Sequence, residues 1–336
     1  MKEAMLYEKG EYGFVLCNLC HHHCKIKEGG RGICAVRENQ DGILVSLVYG
    51  KAIATHIDPI EKKPLFHFQP GSFSFSIATV GCNFSCKFCQ NYSISQMPRD
   101  HKRIQGEDLP PEEAISIAEQ YQCKSISYTY TEPTIFFEYA YDIARLAKEK
   151  GMKNVFVSNG YMTPEAVEVI APYLDGINID LKAMKPETYR EYFGAKLQGV
   201  QETLKCLVSK GIWVEITTLI VPTVNDDEGQ LRAAAEFIYS LDPSIPWHLS
   251  RFHPDYKFLS VPPTPLKTIK KAEEIAKQIG LKYVYTGNVF GDEGENTFCP
   301  HCGEKIIVRY GFSVMDNLIK DSKCSQCGEK IEGVWL

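Results

Sequence analysis

Residues 72–91 read SFSFSIATVGCNFSCKFCQN. The first nine alternate small polar with apolar side chains, the pattern of a strand. The rest hold Cys82, Cys86 and Cys89 at spacing C-x3-C-x2-C, with no fourth cysteine close behind. In parallel α/β folds, loops at the C-terminal ends of strands carry the reactive groups. Whether this segment is such a strand end depends on whether the pattern recurs.

It recurs at intervals of about 25–35 residues. Helical PPEEAISIAEQYQ has prolines and acids in its first turn. Strand SISYTYT (125–131) follows, then a helix ending at Gly151 behind LAKEK, with basic residues in its last turn. Strand NVFVSNG precedes Thr163 and Pro164, a cap followed by proline. Strand GINIDLKA precedes helical ETYREYF and VQETLKCLVSKG. Strand WVEITTLIV leads through Asn225, a candidate cap, into DDEGQLRAAAEFIYSL. Strand WHLSRFHP leads to a helix predicted to be capped by Thr264 with Pro265 at its first position, and KYVYTGN closes the series. Apolar strands alternating with helices predict a parallel sheet covered by helices. The expected fold is α/β, a complete or partial (β/α) barrel, with a doubly wound sheet as the competing architecture. The expected division is a cysteine-rich N-terminal segment at 1–70, a barrel core at 71–290 and a four-cysteine module at 291–336. Unusual polar residues fall at the predicted strand ends: Cys82, Glu132, Asn159, Asp180 with Lys182, and His253.

Composition narrows the function. The chain has 336 residues and a net charge of −5, so no basic field points to nucleic acid. The start MKEAMLYEKGEYGF has no apolar run of the signal-peptide kind, and no apolar stretch approaches a membrane span. A cytoplasmic location is expected. There thiols stay reduced, so clustered cysteines read as metal ligands. Eleven of the 13 cysteines fall in three groups: Cys17, Cys20, Cys24 and Cys34; the strand-end triad; and Cys299, Cys302, Cys324 and Cys327. The last group is two C-x2-C knuckles closed by Gly303 and Gly328, a tetrahedral site for zinc or a rubredoxin-type iron. Zinc is the first expectation for the N-terminal group, and an auxiliary iron–sulfur cluster the second. The neighbouring histidines 21–23 are read as solvated loop. For the triad, packing of free thiols and zinc are weighed against an iron–sulfur cluster that leaves one iron without a protein ligand.

C-x3-C-x-aromatic-C after the first strand of such a barrel, with Phe88 as the aromatic residue, resembles the signature of the radical S-adenosylmethionine (SAM) superfamily. The resemblance implies a [4Fe-4S] cluster on Cys82, Cys86 and Cys89 whose fourth iron is chelated by SAM. It implies reductive cleavage of SAM to a 5′-deoxyadenosyl radical that abstracts hydrogen. Phe88 would then lie against the adenine. YTYTEPTIF occupies the place of the family's GGEP turn, which meets the SAM amino group. Glu132 and Pro133 match that turn, while Tyr130 and Thr131 replace its glycines. VSNGYM resembles a strand end of the glycyl-radical-enzyme activases and sets Ser158 and Asn159 toward SAM. IDLKAM resembles their D-x-K element and gives Asp180 and Lys182 a SAM-side or substrate-side role. HLSRFHP resembles the segment that brings a histidine, here His253, to the adenosine. With IDPIEKKPL and the N-terminal cysteines, the arrangement resembles the radical SAM enzyme of the AmmeMemoRadiSam system, related to pyruvate formate-lyase activating enzymes. Lys62, Lys63 and His67 are candidate residues of the barrel mouth. The implied partners are an electron donor of flavodoxin or ferredoxin type and, for an activase, a protein substrate. A radical SAM enzyme acting on a small molecule or another protein side chain is the alternative, and a zinc-ribbon scaffold the remote one.

Overall fold

In the computed structural model, residues 1–289 and 293–336 are described. The expected boundary between core and C-terminal module, at 290/291, lies outside the described residues. Eight strands form one sheet: β1 (Ala54–Pro59), β2 (Phe73–Ala78), β3 (Ser125–Tyr128), β4 (Lys153–Ser158), β5 (Gly176–Asp180), β6 (Trp213–Ile220), β7 (Trp247–Arg251) and β8 (Val284–Gly287). From β2 to β8 each strand pairs in parallel with the next in sequence. A doubly wound sheet reverses its strand order at a switch point; this one never reverses. It is a partial barrel, for β1 and β8 sit at opposite edges among the described residues.

The strands are apolar because both faces are covered. Ile77, Ile126, Phe156, Ile177, Ile216 and Trp247 are fully or almost fully buried. Helices α1 (Pro111–Gln120), α2 (Phe137–Glu149), α3 (Pro164–Ile170), α4 (Leu197–Ser209), α5 (Glu228–Leu241) and α6 (Leu266–Ile279) cover the sheet. Thr163 caps α3 as predicted, accepting from Ala166 N. Two other caps differ from expectation. Asp227, not Asn225, caps α5, because Asn225 is buried and spent on Val221 N, Leu219 O and Lys182 O. Thr264 does not cap α6: its hydroxyl donates to Ile220 O and accepts from Phe252 N, and the helix starts at Leu266.

The N-terminal segment 1–70 contributes to the core sheet, since β1 runs antiparallel to β2 from Ala54↔Ala78 to Pro59↔Phe73. Residues 2–46 form two small antiparallel sheets of their own. At the other end, strands Thr297–Phe298, Lys305–Tyr310 and Ser313–Asn317 make a ribbon sheet. The ribbon packs on the core through Phe66, Tyr283 and Tyr285 against Ile306 and Ile331. No helix among the described residues is long and apolar enough to cross a membrane.

One buried carboxylate fastens the segment before β2 to the sheet. Glu215 of β6 accepts from Phe66 N (3.0 Å), His67 N (2.8 Å), Trp213 Nε1 (3.1 Å) and His248 Nε2 (2.7 Å). His248 is thus held by a sheet carboxylate, at the edge of the second cavity described below. His67 does not reach the mouth: it is buried between Tyr285 Oη and Glu332 O. Burial works against the Glu215 anion, but His248 and His67 outweigh it and hold its pKa below the ordinary value. Glu215→Ala strands these buried donors together. We expect it to lower folding stability by about 2–4 kcal/mol, read as a fall in the thermal unfolding midpoint of the metal-loaded protein.

Candidate active site

The loop after β2 turns sharply at Gly81, whose φ of +106° and tight surroundings exclude a side chain: a Cβ there would sit 2.6 Å from Val36 Cγ1. Beyond it the backbone is clamped from outside. Arg99 donates to Cys82 O (3.1 Å) and Phe84 O (3.1 Å), and Gln96 Nε2 also reaches Phe84 O. Two donors address the Cys82 sulfur, Phe84 N at 3.3 Å and Asn159 Nδ2 at 3.7 Å. Cys89 Sγ lies 3.2 Å from Ser95 Oγ. Burial pushes the Cys86 thiol up to about 12, with Cys89 and Asp180 adding to it and Lys182 opposing it. Burial, with Glu132 and Cys86 nearby, raises Cys82 further still.

All three cysteines open into one cavity over the C-terminal strand ends. Phe88, Thr131, Ser158, Asn159, Asp180 and Lys182 line it with them, and among the described residues no other cysteine and no histidine does. Three sulfurs on one cavity, with no fourth thiol and no imidazole in its lining among the described residues, fit a cluster with one iron left for an exogenous ligand. Phe88 also packs edge-on against Phe193 and Phe252, at centroid distances of 5.6 and 5.9 Å. Lys182 Nζ meets Asp180 Oδ2 at 2.8 Å. Burial disfavours the Lys182 ammonium, but Asp180 and Cys86 outweigh it, so the lysine stays charged above its ordinary pKa.

Glu132 lies behind the cavity wall. Fully buried, it accepts from Thr134 N and Oγ1, Ser158 Oγ (2.8 Å) and Asn159 N (2.8 Å). Its oxygens are thus spent on the ends of β3 and β4, and it positions Ser158 and Asn159. His253 is exposed and lines an adjoining cavity. The two cavities share Lys62, Gln90, Thr217 and Ser250. Part of the second wall comes from the ribbon, through Arg309, Tyr310 and Phe312.

Asp58 is not among the residues singled out from the sequence, and Tyr130 is there only as the replacement of a glycine. Asp58 accepts from Lys63 (2.6 Å), Lys62 (2.9 Å), Ser76 (2.9 Å) and the Tyr130 hydroxyl. Lys62 and Lys63 line the cavity, and Lys63 Nζ lies 4.6 Å from the Tyr130 ring centre. Tyr130 itself sits at φ +62°, a left-handed conformation that favours glycine. The departure from the glycine-based turn thus keeps the glycine-like backbone and adds a side chain that reaches across to β1. IDPIEKK was the available signal, an acid four and five residues before two lysines.

The ribbon cysteines form a second, distinct centre. Cys299, Cys302, Cys324 and Cys327 place their sulfurs within 4.8 Å of one another. The 3.7 Å Cys299–Cys327 and 3.8 Å Cys302–Cys324 separations fit one tetrahedral metal ion, for which bonds of about 2.3 Å set sulfurs about 3.8 Å apart.

Burial alone would raise the Asp58 pKa, but Lys63, Tyr130 and Lys62 hold it well below the carboxylate range. A carboxylate depressed in the folded state adds stability above its unfolded pKa and loses it as pH falls. Below pH about 4, the unfolding midpoint of the wild type is therefore expected to drop more steeply with acid than that of Asp58→Asn.

Comparison with known proteins agrees with this geometry. Residues 76–235 match the radical SAM superfamily model. The uncharacterized protein MJ0808 of Methanocaldococcus jannaschii is 47% identical over 335 residues, 99% of each chain. The pyruvate formate-lyase-activating enzyme of Clostridium pasteurianum is 23% identical over 59% of this chain and 88% of its own. The fold resembles that of Streptococcus suis SuiB bound to S-adenosylmethionine, with a TM-score of 0.52 at 15% identity over 73% of this chain and 58% of that one. The chain belongs to the radical SAM superfamily.

Proposed function

We propose that the chain reductively cleaves SAM at a [4Fe-4S] cluster held by Cys82, Cys86 and Cys89, and that it directs the resulting reactivity to hydrogen abstraction. The observation that carries this reading is the convergence of those three thiols, with no fourth thiol or imidazole among the described lining residues, on a cavity lined by strand-end polar groups. SAM bound to the reduced cluster supplies a 5′-deoxyadenosyl radical. The chain's own residues bind and orient. Phe88 offers an aromatic face, Thr131, Ser158 and Asn159 offer hydrogen-bonding groups, and Glu132 holds the last two in register. Asp180 and Lys182 present a fixed pair of opposite charges to cofactor or substrate. The packed rings of Phe88, Phe193, Phe252 and Phe258 keep water from one side of the cavity. In the adjoining cavity His253 is placed for contact with adenosine or substrate.

The similarity to pyruvate formate-lyase-activating enzymes supports a glycyl-radical activase, with a protein substrate and a flavodoxin- or ferredoxin-type electron donor. The second cavity, walled by both core and ribbon, favours a small molecule or a short side chain instead. The three-part division of the chain, and a single zinc or iron in the ribbon, belong to the same proposal.

Anaerobically reconstituted protein given dithionite and SAM is expected to release 5′-deoxyadenosine and methionine. No release from protein with a complete cluster would overturn the reading. Cys86→Ala should abolish release and leave the ribbon metal in place by metal analysis. Lys182→Met should keep the cluster and slow release about ten- to hundredfold through lost positioning. A glycyl EPR doublet on a co-purified partner protein would decide for the activase.

A further inference from the structure

The N-terminal cysteines take no part in the site above. Cys17 and Cys24 face each other across the antiparallel strands Val15–Cys17 and Cys24–Ile26. Cys20 comes from the turn between them, and Cys34 from the segment after Gly32, which lies against Cys24. All four line one cavity with Leu19, His22, Ile26, Ile135 and Arg37, and His22 spends its Nε2 on Asn83 O. Yet, among the described residues, no three of their sulfurs come within 4.8 Å of one another, as the ribbon sulfurs do. One tetrahedral ion needs separations of about 3.8 Å, and the ribbon has them. A cluster spreads its thiolates wider, since each holds a different iron. The triad of the active site also lies outside the 4.8 Å limit.

A second observation points into the same cavity. Arg37 is 1% exposed and donates through Nη2 to Glu138 Oε1 (2.7 Å) and Met5 O (2.8 Å). Its Nε and Nη1 are buried with no partner. Unused guanidinium donors are costly to bury, and a thiolate-ligated cluster is an anion rich in sulfur acceptors.

We propose that Cys17, Cys20, Cys24 and Cys34 ligate a second [4Fe-4S] cluster and that Arg37 donates hydrogen bonds to its sulfurs. This cluster sits beside the first. Arg99 Nη2 bridges Ile33 O (3.0 Å) and Cys82 O (3.1 Å), and His22 Nε2 contacts Asn83 O at 2.8 Å. One guanidinium thus joins the residue before Cys34 to a ligand of the active-site triad.

The test is iron, sulfide and zinc analysis of full-length protein in which the triad is removed (Cys82→Ala, Cys86→Ala and Cys89→Ala together). That variant cannot hold the active-site cluster, so its result is independent of the proposed reaction. After anaerobic reconstitution it is expected to keep about four irons and four sulfides per chain, with an EPR signal on dithionite reduction. A protein without iron, or with zinc in both remaining cysteine sets, overturns the assignment. Cys20→Ala with Cys24→Ala in the otherwise native chain leaves two thiolates, too few for the cluster, and should lose about four irons and four sulfides per chain while the ribbon metal stays. An unchanged iron and sulfide count in that double variant overturns it equally.

Discussion

A carboxylate with no access to solvent determines the geometry of the site. Glu132 cannot stay ionised in an apolar interior without donors around it, and its donors are the residues that shape the cavity wall. Ser158 and Asn159 are drawn to it from β4, Thr134 from the turn after β3. Asn159 then passes the constraint on through its side chain, to Asn83 Oδ1 at 2.7 Å and to the Cys82 sulfur. One buried carboxyl group, whose pKa burial raises against the pull of its donors, thus sets three strand ends relative to one another, and the place of the Cys82 thiol follows from a group behind the cavity wall.

The order of strands and helices was legible because each parallel strand is buried on both faces and shows as an apolar run. The edge strand β1 was not, since ATHIDP has three polar side chains and an exposed edge, and its partner lies across the loop of residues 60–72. The cysteine triad was plain from spacing alone. Glu132 was found by position, but its orientation depends on donors about 26 residues away, which local pattern cannot supply. The link between Asp58 and Tyr130 was missed for the same reason: it spans 72 residues. Asn225 and Thr264 looked like caps because short polar side chains favour helix starts. Both instead satisfy buried backbone groups of neighbouring segments, a demand that only the folded chain creates.

Tyr130 shows how a departure from a family pattern can be compensated. Left-handed backbone is strained for a tyrosine, yet its ring covers Lys63 and its hydroxyl completes the shell around Asp58. The tyrosine ties the turn after β3 to the edge strand β1, giving an open sheet a cross-brace near the edge where it does not close.

The ribbon has a meaning beyond its own stability. Its Arg309 reaches back to Phe66 O at 2.7 Å, while the adjoining Tyr310 and Phe312 face the second cavity. Its two knuckles, each closed by a glycine N–H to a cysteine carbonyl, bring four sulfurs within 4.8 Å of one another. The second cavity is lined by the sheet on one side and by the ribbon on the other. Substitutions at Tyr310 or Phe312 can therefore reshape that cavity while the three-cysteine loop, which they do not line, keeps its own contacts.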